Sequence, residues 1–192
     1  MKRVLVGLVL PAFLLGCDST AESVWATDEE VARSSYTHDG PASITLYTVI
    51  RTATGSGLHA ALLINGSERV VFDPAGSWWH PQIPERNDVH FGMTPHVVDF
   101  YIDYHTREES HTVSQTVYVS PEVAEMALEA VLAYGAVPKT QCTRSITTVL
   151  SELPGFEDIP ISWFPPQAME YFESYPGVET QVYYDTPDDI VN

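Results

Sequence analysis

Cysteine is nearly missing from this chain: Cys17 and Cys142 are the two among 192 residues, which permits one intrachain bridge at most. Positive charge is scarce as well, with nine Lys and Arg against 26 Asp and Glu and a formal charge of −17. Nucleic acid and anionic lipid surfaces both select clustered Lys and Arg, so neither is an expected partner. No apolar run reaches the roughly twenty residues of a membrane-crossing helix; the run at residues 4–15 is shorter and is broken by Pro11. The glycines of "TATGSG" lack the Lys and Ser/Thr that would complete a phosphate loop. No internal repeat is visible.

What is present begins at the N-terminus. "MKRVLVGLVLPAFLLGC" places Lys2 and Arg3 before the apolar run, which reads as a secretory signal. Its "LLGC" ending resembles the bacterial lipobox, and the resemblance implies a lipoprotein signal peptide at 1–16 with lipid attached to Cys17. The chain is then expected in the cell envelope, lipid-anchored to a bacterial membrane and facing the periplasm. An ordinary signal peptide cut elsewhere is the alternative. Asp18 resembles an inner-membrane retention signal. Residues 17–43, rich in small and charged side chains without a lasting period, are expected to be a flexible tether, and 44–192 one folded domain. With Cys17 carrying lipid, Cys142 stands alone in an oxidising compartment, as either a buried small apolar residue or a reactive thiol.

Strands are expected at "ITLYTVI" and in the hairpin "LHAALLI", "NGS", "ERVVFD", then at "PHVVDFYIDYH", "HTVSQTVYVS" and "VETQVYY". Residues 74–88, with three prolines and two tryptophans, read as a loop. Ser120 and Pro121 open a helix that Gly135 stops. A second starts near Thr140 or Gln141 and ends at Pro154 and Gly155, and a third opens at Pro165 and Pro166. Grouped strands followed by grouped helices predict an α+β domain, an antiparallel sheet packed against helices.

A three-residue hairpin loop at Asn65, Gly66 and Ser67 sets His59 directly opposite Asp73, where a carboxylate can hold an imidazole in one tautomer. A two-residue loop would put Phe72 there instead. The same pair also reads as a structural cross-strand contact. In the second helix Cys142, Ile146, Val149, Leu150 and Leu153 form one apolar stripe, so the cysteine points inward. Its place in the first turn favours a thiolate, and the free N–H groups there can hold an oxyanion.

His59 on a strand, Asp73 on its hairpin partner and Cys142 opening a later helix resemble the circularly permuted branch of the papain-like NlpC superfamily. That branch includes lecithin:retinol acyltransferase and YiiX-type hydrolases. "HAALLINGSERVVFD" and "QCTRSITTVL" carry the resemblance, which covers about Tyr47 to Leu153. It implies a papain-like, permuted NlpC-type fold with Cys142 as nucleophile, His59 as base and Asp73 as orienter. A thioester would form on Cys142, with no metal or cofactor needed. The chain departs from the acyltransferase members in having Asp73 where they tend to carry histidine, and in its Trp- and Pro-rich insert.

Tyr47 and Gln141 are candidates for oxyanion or substrate contacts. His80, His90, His96, His105 and His111, with Asp88, Asp99 and Asp103 among them, are dense enough for a metal site, but no pair has HExxH spacing. "GSWWHP" reads equally as a lid over a substrate or a plug on the sheet. The expected function is a membrane-anchored cysteine hydrolase or acyltransferase acting on a small-molecule, peptide or lipid amide or ester. The alternative is a catalytically silent binding or structural lipoprotein.

Overall fold

The structure is a computed structural model that describes residues 21 and 23–185. The expected signal peptide, Cys17 and residues 186–192 lie outside the described residues. The elements in chain order are α1 (Asp28–Ser34), β1 (Ser43–Arg51), β2 (Gly57–Asn65), β3 (Arg69–Phe72), β4 (Glu85–Arg86) and β5 (Val89–Phe91). Then come α2 (Pro95–His105), β6 (Ser110–Tyr118), α3 (Pro121–Tyr134), α4 (Cys142–Ser151), α5 (Pro165–Glu173) and β7 (Glu179–Tyr183). One seven-stranded sheet runs β4-β5-β3-β2-β1-β6-β7, with every neighbouring pair antiparallel. With helices against it, this is the expected mixed α+β class.

Strand alternation divides the interior in two. Ile44, Leu46, Ala60, Leu62, Ile64, Val70 and Phe72 face α3, α4 and α5, which contribute Leu128, Ile146, Leu150 and Phe172. Tyr47, Ala61, Leu63 and Val71 face the other way, against Val98, Tyr101 and Ile102 of α2 and the plug residues Trp78 and Met93. Both faces of the central strands are therefore buried. Each such fully buried side chain contributes about 1.5–3 kcal/mol.

The expected strand over "PHVVDFYIDYH" is helix α2. The Thr94 side chain accepts from the Val97 N–H, and Pro95 occupies the first turn, where its missing N–H costs nothing. Val98, Tyr101 and Ile102 are its buried residues, a spacing of three and four that only a helix puts on one face. The expected tether is also corrected over its described part. Thr27 and Glu30 form a reciprocal capping box that starts α1. Backbone bonds then join Ala26 N–H to Glu85 O at 2.9 Å and Arg69 N–H to Tyr36 O at 2.8 Å, so this segment lies along the sheet. Inside the expected loop at 74–88, Glu85 and Arg86 form the short strand β4 against β5.

Candidate active site

β2 puts His59 on the α2 face, in phase with Ala61 and Leu63. The hairpin loop is not the expected Asn65–Gly66–Ser67: Asn65 pairs with Arg69, so Gly66, Ser67 and Glu68 make the turn and the strands slide by two residues. A slip of one would have turned Asp73 to the opposite face, whereas a slip of two keeps it on the same one. His59 and Asp73 are thus diagonal neighbours instead of an opposed pair. Their side chains still meet, with His59 Nε2 2.5 Å from Asp73 Oδ1.

Asp73 is 1% exposed and held from several directions. Its Oδ1 accepts a second bond, from the Tyr101 hydroxyl of α2, at 2.8 Å. Its backbone N–H donates to Asp88 O at 2.8 Å. The Asp88 carboxylate in turn accepts from Ala75 N–H at 3.1 Å and Val137 N–H at 2.8 Å. Asp88 therefore ties the turn that follows Asp73 to the connection that leads into α4. Gly76 closes over the carboxylate so tightly that a Cβ there would stand 2.0 Å from Asp73 Oδ2.

Cys142, 8% exposed, is the first residue of α4. β3 pairs with β2 only from Leu62 onward, so the edge of β2 beside His59 and Ala60 has no strand partner on that side. The first turn of α4 fills this gap. The thiol interacts there with the His59 ring and with the Ala60 backbone N–H. Since Nε2 is engaged by Asp73, the ring nitrogen left for the sulfur is Nδ1. Two residues earlier, Thr140 holds a left-handed φ of 72°, a strained conformation for a β-branched residue. The N–H groups of Cys142, Thr143 and Arg144 have no carbonyl four residues back within the helix, so they are free to bind an anion.

The electrostatics follow from this geometry. Burial opposes charge on His59, but the Asp73 carboxylate, its hydrogen bond and the thiol outweigh it and raise the ring to about 10. Burial likewise opposes the Asp73 anion, and the His59 charge and hydrogen bond override it, holding the carboxyl well below its usual range. For Cys142, burial raises the thiol while the His59 hydrogen bond and charge lower it; the net shift is downward. The three groups favour a carboxylate, an imidazolium and a thiolate in a row.

Other candidate residues fall as follows. Tyr47 is buried in the α2-side core, its ring 5.8 Å from that of Tyr101. Its pKa is raised by burial first and then by Tyr183, and the hydroxyl that reaches Asp73 belongs to Tyr101. Gln141 precedes α4 and makes no side-chain cap; its Oε1 accepts from Arg144 Nη1 at 3.4 Å. In "GSWWHP" Trp78 is buried at 2% exposure, against Tyr101 and His90, and Trp79 stands out at 69%. Of the five histidines, His105 reaches the triad, its ring 5.6 Å from that of His59 and inclined by 12°. His59, Asp73 and His105 can each bring one donor atom within 4.8 Å of the other two. His90 is buried against Trp78, and that burial lowers its ring to about 4.

Tyr101 is not among the sequence candidates, and Asp88 and His105 enter them only as members of the histidine-rich metal cluster. The missed signal was "TP" before the α2 stretch, a cap residue and a first-turn proline. Comparison with family models, curated proteins and solved structures finds no match for this chain.

Proposed function

We propose that this protein is a cysteine hydrolase that works through a thioester on Cys142, of the permuted papain-like NlpC type. The observation that carries the reading is the meeting of three side chains distant in sequence: the Cys142 thiol at a helix start, the His59 ring, and Asp73 at 2.5 Å from that ring.

In this mechanism His59 Nδ1 takes the thiol proton and the thiolate attacks a substrate carbonyl carbon. The first-turn N–H groups of α4 stabilise the oxyanion as the tetrahedral centre forms. Collapse breaks the C–N or C–O bond, and the imidazolium donates its proton to the leaving amine or alcohol. Water, deprotonated by the same ring, then attacks the thioester and releases the acid and the thiol. Asp73 keeps the ring oriented and stabilises its charge throughout.

The substrate is an amide or ester of the cell envelope, reached by a chain anchored through lipid on Cys17 and facing the periplasm. An apolar acyl or side chain is favoured near the thiol. Gly57, at the start of β2, packs on Pro165 and Pro166, and Arg144 in the first turn of α4 lies 5.3 Å over the Trp163 ring. Leu58, Trp163 and Phe164 are all exposed beside these contacts.

The test is iodoacetamide labelling of the folded protein across pH, with products located by mass spectrometry. Labelling of Cys142 well below pH 8, abolished in a folded Cys142→Ser variant, supports the reading. Labelling only after denaturation would leave an inert core cysteine and a silent binding protein.

A further inference from the structure

We propose that His59, Asp73 and His105 form a Zn2+ site, and that zinc bound there switches off the Cys142 thiol. The inhibitory part rests on the cysteine hydrolase reading, while the binding part does not. Two imidazoles and one carboxylate with an open position are a recurrent zinc set, with bonds of about 2.0–2.2 Å and donors about 3.4 Å apart. The three donor atoms lie within 4.8 Å of one another, so closure to that separation brings them together by at most about 1.4 Å. Two imidazoles sharing a tetrahedral ion have ring centroids about 5 Å apart. Those of His59 and His105 stand at 5.6 Å with their planes inclined by 12°, so one ring turns for both lone pairs to meet at one ion.

Three further features fit an ion. His105 Nδ1 lies 2.9 Å from the Tyr101 carbonyl oxygen, so that nitrogen carries the proton and donates it, leaving the Nε2 lone pair for a metal. Tyr101 also donates its hydroxyl to Asp73 Oδ1, so one residue of α2 orients two of the three ligands. Asp73 Oδ2 is buried without a hydrogen-bond partner among the described residues and is covered by Gly76, so the carboxylate is not fully satisfied and Oδ1 is the oxygen that faces the His59 ring. The excess of 26 acidic over nine basic side chains adds a long-range attraction for cations.

Zinc on this set blocks the chemistry directly. As the metal takes the His59 Nε2 lone pair, the Nε2 proton leaves to solvent while Nδ1 keeps its own, so the neutral ring can neither accept a proton from the thiol nor hold the thiolate by charge. The Cys142 thiolate then either takes a proton from solvent or occupies the open position on the ion. In both cases it no longer attacks a carbonyl.

The experiment titrates Zn2+ into the metal-free full chain by calorimetry, and measures iodoacetamide labelling of Cys142 with and without Zn2+. Wild type, His105→Ala and His105→Gln are compared, each checked for folding by circular dichroism. The expected result is one equivalent bound by wild type, with affinity lowered about tenfold or more in both variants. At a zinc concentration above the wild-type dissociation constant and well below those of the variants, zinc should slow wild-type labelling, a chelator should restore it, and each variant should keep its own zinc-free rate. No binding by wild type, or equal affinity in all three proteins, overturns the site. His105-dependent binding by a protein whose native thiol never labels upholds the site and overturns the cysteine hydrolase reading alone.

Discussion

Replacing Asp73 by Asn tests whether one carboxylate keeps the catalytic sulfur ionised. The substitution keeps the shape of the side chain and removes its charge, so the buried His59 ring loses the attraction that raises it to about 10. Burial, now opposed mainly by the thiol, returns the ring toward or below its ordinary 6.5. A neutral ring no longer lowers Cys142, whose burial then pushes it back toward 9.0 or above. A thiol titrating there is ionised in about one molecule in a hundred at pH 7. Iodoacetamide labelling at pH 7, with a chelator present, should therefore slow, by up to about 100-fold, and the two proteins should converge near pH 10. Stability should move with it. The lowered Asp73 pKa stabilises above its ordinary 3.8 and is lost as pH falls; the raised His59 pKa stabilises fully below 6.5 and is lost as pH rises through about 10. The gap in Tm between wild type and Asp73→Asn should thus be widest between those ordinary values and shrink on either side. Equal labelling rates at pH 7 in two folded proteins would refute the electrostatic account.

Two other substitutions address the supports of the site. Tyr101→Phe removes a hydroxyl that donates to the buried Asp73 carboxylate and should cost about 1.5–3 kcal/mol in urea denaturation. Its labelling profile should also move toward higher or lower pH, which a purely structural tyrosine would not cause. Gly76→Ala places a Cβ where it would meet Asp73 Oδ2 at 2.0 Å, so the carboxylate must leave the ring. It should reproduce the labelling loss of Asp73→Asn with the charge still present.

The hairpin, α3, α4 and α5 were legible because their signals are local: turn residues, caps, first-turn prolines and apolar stripes. The placement of His59 and Asp73 on one face survived a wrong loop because side-chain direction repeats every two residues, and the error was two. α2 was misread, and that hid part of the site. As a strand, residues 101 and 105 would stand about 13 Å apart, whereas one helical turn brings them within about 6 Å along the axis. Only the helix lets Tyr101 and His105 converge on the same carboxylate.

The sequence by itself determined that Cys142 heads an inward-facing helix and that His59 and Asp73 share a face of the sheet, since periodicity and turn chemistry act over a few residues. Tertiary structure alone decided that the thiol meets the ring. That contact depends on β3 ending at Phe72, on the unpartnered edge of β2 this leaves, and on Asp88 tying the approach to α4 against the turn after Asp73. Each of these joins segments far apart in the chain, and no local pattern encodes where a strand's partner stops or which helix end will fill the space.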